Sequence, residues 1–223
     1  MTPDEVDVVI ITHAHADHVG GLTVDRRPVF RQARHYVARL EWDFWMSDDA
    51  AAQLAEPLAE MLISTARTAL SVIDDAGLLE RVTGELSLTD GFRLIPAPGH
   101  TPGHLAVELR SGDPPLLYVA DALIHELQFQ HPTWTSMVDL DPEATIATRR
   151  SLLDRAIETD ALVAAFHLYR TGRVGQVNRA YRFSPHRAGH QITQPRNSSA
   201  VRSDTQTPNR SRRHGRVATG EGR

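Results

Sequence analysis

The sequence has no cysteine and no lysine, and no apolar run long enough to cross a bilayer. Without cysteine there are no disulfides and no thiolate ligands, so any metal site must be built from nitrogen and oxygen donors. All 24 basic residues are arginine, which excludes a lysine nucleophile or Schiff base. A spanning helix needs about 20 consecutive apolar residues, and the acidic start Thr2-Pro3-Asp4-Glu5 is not a signal peptide. The expectation is a cytoplasmic protein with no membrane partner. A net charge of −4 argues against nucleic acid as a partner. No Gly-x-Ser-x-Gly elbow occurs, so a serine-centred hydrolase lacks its motif.

What is present is concentrated chemistry. The β-branched run Val6-Asp7-Val8-Val9-Ile10-Ile11 reads as a buried strand, and it feeds Thr12-His13-Ala14-His15-Ala16-Asp17-His18. In extended chain, residues two apart share a face, so His13 and His15 can converge on one ion. Gly20-Gly21 would allow a tight turn that aims Asp17 and His18 elsewhere, towards a second ion. Imidazole and carboxylate donors without thiolate suit zinc, iron, manganese or cobalt.

With 223 residues and 41% hydrophobic content, the chain can bury one core. After the ligand loop, Arg34 to Ala38 reads as a strand, with His35 as a structural residue inside it. A helical pattern runs from about Ala50 to Asp74, with Leu54, Leu58, Met61, Leu62, Thr65 and Leu70 inward, Pro57 as a kink and Gly77 at its end. Ahead of it, Trp42, Phe44 and Trp45 suit either core packing or an apolar substrate wall. Strands are expected at 78–82, 84–88, 92–97, 104–109, 116–120 and 161–166. A helix from Asp141-Pro142-Glu143 to about Glu158 opens with an Asp cap and Pro at its first position. Residues 1–183 thus form one domain. From about Ser184 the chain is rich in Arg and Ser, poor in large apolar residues and without periodicity, which predicts a disordered tail over 184–223. Its His186, His190 and His214 are discounted as ligands.

Further motifs follow in order: Pro98-Gly99-His100-Thr101-Pro102-Gly103-His104, Leu117-Tyr118-Val119-Ala120-Asp121, and Ala164-Ala165-Phe166-His167. With His-x-His-x-Asp-His after an apolar strand, this series resembles the metallo-β-lactamase fold superfamily of metal-dependent hydrolases from about residue 4 to about 183. The resemblance implies an α/β (α+β) fold, a four-layer αββα sandwich. It also implies two divalent ions, zinc first among them. One would be held by His13, His15 and His100, the other by Asp17, His18 and His167, with Asp121 bridging and Asp17 or Asp121 handling a proton. His104 would orient a neighbour through a hydrogen bond. Only twelve residues precede His13, whereas the family places several strands there, so the fold is expected to be N-terminally truncated.

The stretch Gln128 to Trp134, the helix around Leu152-Leu153-Asp154 and the aromatics near Trp42 look closest to the branch of acyl-homoserine-lactone lactonases and methyl parathion hydrolases. His125, His131 and Tyr169 are candidate pocket residues. The function implied is attack by a metal-bridging hydroxide on a lactone, ester or phosphotriester, with a small molecule as partner and a homodimer allowed. The alternatives are a glyoxalase-II-like thioester hydrolase and a truncated, non-catalytic metal-binding domain.

Overall fold

The computed structural model of the protein describes residues 1–54, 58–178 and 180–186. The first strand, β1 (Val8–Ile11), leads into a single helical turn, α1 (Ala16–Val19). Next, β2 (Thr23–Val24) and β3 (Arg27–Pro28) pair as a short ribbon whose turn residues, Asp25 and Arg26, both have positive φ. Strand β4 (Arg34–Ala38) pairs in parallel with β1. Three helices follow, α2 (Arg39–Met46), α3 (Asp49–Gln53) and α4 (Leu58–Asp75). Strand β5 (Leu79–Val82) then pairs in parallel with β4, completing a three-stranded sheet in the order β1-β4-β5.

This region departs from the single helix expected from about Ala50. The aromatic stretch is itself a helix, and α3 and α4 are separate elements; Pro57, the expected kink, lies outside the described residues. The phase of α4 also differs. Its buried stripe is Ala59, Leu62, Ala66, Ala69, Leu70, Val72 and Ile73, while Leu58 and Met61 are exposed. Alanines on that stripe let the helix approach its neighbours closely, which a search weighted to large apolar residues misses. Gly77, at φ +70, ends α4: its N–H donates to Asp74 O and that of Leu78 to Ile73 O, closing carbonyls the helix leaves open.

Among the described residues, the second sheet has seven strands, β6 (Leu86–Thr89), β7 (Phe92–Pro96), β8 (Leu105–Leu109), β9 (Leu116–Tyr118), β10 (Leu162–Ala164), β11 (Gly172–Val177) and β12 (Ala180–Pro185). They lie in reverse sequence order from β12 to β6. All neighbours are antiparallel except β9 and β10, and a parallel pair needs a long crossover. That crossover holds α5 (Leu127–Gln130) and α6 (Pro142–Glu158), the latter capped as expected by the Asp141 carboxylate, which accepts from Ala144 N–H at 2.9 Å. Ser184 and Pro185, which composition assigns to the tail, complete β12; the tail from 187 onward lies outside the described residues.

Three apolar cores stack these elements into four layers. Ile11, Val37, Phe44, Trp45, Leu62 and Leu70 join the first sheet to α2 and α4. Ala38, Val82, Leu94, Leu105 and Val107 lie between the sheets. Leu117, Val163, Leu152, Leu153 and Ala156 join the second sheet to α6. The result is the αββα sandwich. Phe44 and Trp45 are core residues, which settles the aromatic cluster towards packing; Trp42 stacks under the Arg81 guanidinium, 3.8 Å from its ring centroid.

Candidate metal centre

Parallel pairing brings the ligand-type residues to one end of the sheets. Tyr118 of β9 is in register with Ala164 of β10, and Asp121 and His167 each follow three residues beyond that pair. From the facing sheet, the chain leaving β1 bends at Thr12 and is extended at His15, at φ −64 and ψ 153. His13 and His15 are both buried, at 0% and 5% exposure, and bring ligand atoms to one group. The change of direction that separates Asp17 and His18 from them is made by α1. The turn expected at Gly20-Gly21 follows directly, closed by Leu22 N–H donating to Val19 O at 3.0 Å, with Gly20 at an ordinary helical φ of −59. His100 and His104 come from the loop joining β7 to β8 and are both buried.

The seven residues singled out from the sequence converge. His13, His15 and His100 form one group and Asp17, His18, Asp121 and His167 another, with the ligand atoms of each group within 4.8 Å of one another. Asp121 lies between the groups. Its Oδ2 is 3.5 Å from His100 Nε2 and 3.9 Å from His13 Nε2 on one side, and 3.1 Å from His167 Nε2 on the other. Its Oδ1 is 3.3 Å from His18 Nε2. Asp17 Oδ2 is 3.6 Å from both His18 and His167. The Asp17 and His167 side chains are 50% and 40% exposed, so the centre opens to solvent on their side while His13 and His100 close its floor.

The electrostatics suit a cation. Burial, with the neighbouring histidines, holds His13 well below the ordinary imidazole range and lowers His15 to about 3. These rings are neutral near pH 7, with lone pairs free to coordinate. Burial alone would raise Asp121, but the adjoining His18, His100 and His167 override it and keep the carboxylate ionised. Among the described residues, His13 Nε2, His15 Nε2, His18 Nε2 and Asp121 Oδ1 are buried without a partner in hydrogen-bonding geometry. Each such atom costs roughly 1–3 kcal/mol. The neutral His13 and His15 imidazoles beside an ionised carboxylate, with buried polar atoms left open, are a donor set that divalent cations satisfy.

A supporting shell fixes these groups. His104 Nε2 accepts from Asp121 N–H at 3.1 Å and so holds the turn at Ala120–Ala122, where Ala120 sits at φ +42. The orienting role expected of His104 is thus exercised on the Asp121 backbone, and burial lowers the imidazole to about 3, keeping it neutral for that bond. Asp139 Oδ1 accepts from His100 Nδ1 at 2.8 Å, which leaves His100 Nε2 facing the centre, while its Oδ2 accepts from Ser136 N–H at 2.6 Å. The buried Arg149 guanidinium donates to Ala122 O, Pro132 O and Trp134 O, tying the Asp121 turn to the 131–134 loop. Glu41, fully buried, accepts from the loops on both sides of the first group. None of Glu41, Asp139 and Arg149 was singled out by the sequence. Arg149 carried a signal, since it shares the buried stripe of α6 with Thr145, Leu152, Leu153 and Ala156.

Other candidates fall outside the centre. His35 is buried with Nδ1 3.0 Å from Ala33 O and belongs to neither group. His125 and His131 are exposed; His125 accepts from Leu127 N–H, and His131 stacks on Trp134 at 4.3 Å. Tyr169 is fully exposed.

Comparison with known proteins agrees with this geometry. Residues 1–167 match the family model of the metallo-beta-lactamase superfamily. Among solved structures, the chain is similar to AbOPH, a hydrolase in the beta lactamase superfamily, at 26% identity and a TM-score of 0.76 over 84% of this chain and 67% of that one. It is similar to AidC, a dizinc quorum-quenching lactonase in complex with the product N-hexanoyl-L-homoserine, at 27% identity and a TM-score of 0.75 with the same coverage. A probable metal-dependent hydrolase from Staphylococcus aureus shares the fold at 18% identity and a TM-score of 0.67, over 84% of this chain and 65% of that one. The chain thus spans about two thirds of the length of these proteins. No helix among the described residues is long and apolar enough to cross a membrane. With its strand-end histidines and aspartates in place and the family model matched from residue 1 to His167, the chain belongs to the metallo-beta-lactamase superfamily of metal-dependent hydrolases.

Proposed function

We propose that the chain hydrolyses a lactone, ester or phosphotriester with the help of two divalent ions, zinc being the best suited to three-histidine and mixed histidine-aspartate sites. His13, His15 and His100 would hold one ion and Asp17, His18 and His167 the other, with Asp121 shared between them. The observation that carries this reading is the placement of the Asp121 carboxylate within 3.9 Å of histidines from both groups. When bound, such a pair supplies a water acidified towards neutrality and a Lewis acid for the substrate oxygen.

The chain's own residues supply the rest. Asp17, half-exposed at the rim with Oδ2 towards His18 and His167, would take a proton on its carboxylate and return it to the leaving group. Asp121, held ionised and fixed through its own N–H, keeps the two groups in register. Phe166, 48% exposed and packed on His18 at 4.3 Å, presents an apolar face beside the opening that suits an acyl tail or aryl group. The similarity to a lactonase at 27% identity supports a lactone among these substrates.

The test compares an N-acyl lactone, an aryl phosphotriester and an acyl thioester as substrates for the metal-loaded protein. Metal-dependent turnover of the first or second, lost in His13→Ala and Asp121→Ala, is expected. Preference for the thioester would move the chain to the glyoxalase-II-like class. Unchanged turnover in both variants would remove these residues from the reaction.

A further inference from the structure

We infer that Glu41 is the positioning residue that locks the two loops carrying His13, His15 and His100 to one another, and thereby sets the geometry of the first cation group. Its side chain is fully buried at the start of α2, and both carboxylate oxygens are engaged twice. Oε1 accepts from Ala14 N–H at 2.8 Å, the peptide between His13 and His15, and from Trp45 Nε1 at 2.7 Å. Oε2 accepts from Thr101 Oγ1 at 2.6 Å and from Gly103 N–H at 3.0 Å, both in the loop that carries His100. One carboxylate therefore joins the loop after β1 to the loop after β7, segments about 85 residues apart in sequence that meet at His15 Nδ1 and His100 Nε2, 3.0 Å apart. Trp45, held by the same oxygen as Ala14, packs its ring edge-on to His15 with centroids 5.7 Å apart.

The local sequence is shaped to this contact. A Cβ at position 103 would fall inside the envelope of the Glu41 backbone nitrogen and Cα, so the loop approaches α2 closely only because residue 103 is glycine. Four donors fill the lone-pair sites of the carboxylate, two on each oxygen, and each connects to a ligand-bearing loop or to the side chain packed on a ligand. Removing one oxygen acceptor releases one loop from the other while leaving every ligand in place.

This inference rests on the proposed two-ion centre, and the experiment separates the two. Glu41→Gln and Thr101→Val, purified with metal removed, are titrated with Zn2+ against a chromophoric chelator well below their melting temperatures, with near-ultraviolet circular dichroism to establish folding. In Glu41→Gln an amide NH2 must face N–H or O–H donors, so the clamp opens on one side. The expected result is a loss of about 10–100-fold in affinity for the first ion in folded Glu41→Gln, the range for partners that orient metal ligands, and a smaller loss in Thr101→Val. A residue that only stabilised the core would lower the melting temperature of the metal-free protein without changing the affinity of its folded state. Wild-type affinity in both folded variants overturns the inference. If Glu41→Gln does not fold, Thr101→Val decides alone. Failure of the wild-type protein to bind Zn2+ would instead overturn the two-ion reading, and the clamp with it.

Discussion

Acidifying the metal-free protein should unfold it through the histidines that the centre keeps neutral. His15 and His104 are lowered from 6.5 to about 3, by burial first and by the nearby His100 second. In the unfolded chain both titrate near 6.5, so between these values the unfolded state binds more protons than the folded one. Their contribution is complete above about pH 6.5 and is lost as the pH falls towards 3. At about pH 4.5 each has lost roughly two units' worth of linkage, about 2.7 kcal/mol, and the pair about 5 kcal/mol. His13 shifts in the same direction. Glu41 works in the opposite sense: burial raises its carboxyl, so acid relieves the penalty of holding it ionised and offsets part of this loss. Against a typical total of about 5–15 kcal/mol, the loss brings the metal-free protein close to unfolding. Urea unfolding after chelation, followed by tryptophan fluorescence from about pH 7.5 to about pH 4.5, reads this directly, with Trp45 buried beside His15 as reporter. Stability that stays level or rises as the pH falls would refute the reasoning.

Two substitutions probe the supporting shell. Gly103→Ala places a methyl group against the Glu41 backbone, where no side-chain rotation can relieve it, and should destabilise the fold by about 3 kcal/mol or more; a urea midpoint change equivalent to less than about 1 kcal/mol would contradict the close approach. Asp139→Asn cannot serve both the His100 imidazole and Ser136 N–H, because one of its two groups becomes a donor facing a donor. It should weaken metal binding about 10–100-fold in a chelator competition, and native affinity would show that His100 needs no such partner.

The ligand-type residues were legible because each stands at the end of an apolar run, where a strand must stop and a loop begin. His13, His15, His100, Asp121 and His167 all occupy such positions, and a parallel β9–β10 pair carries the last two to the same place. What was not legible depends on contacts across space. Glu41 looks like a charge on an aromatic helix until the loop containing Gly103 is laid against it. Asp139 stands three residues ahead of α6 and gains its role only from His100, 39 positions earlier. The subdivision around α3 escaped notice because the apolar spacing from Leu54 to Leu62 bridges the gap between two helices, and the alanines that set the phase of α4 carry little weight in a hydrophobic pattern. Phe44 and Trp45 could have faced a cleft or a core from sequence alone; burial between α4 and the first sheet decides for the core.

The most direct test of the two-ion centre is elemental analysis of monodisperse, dialysed protein. About two divalent ions per folded chain are expected, falling in His13→Ala and in Asp121→Ala. Folded protein that retains none, or whose content is the same in both variants, would contradict the assignment of these residues to a metal pair.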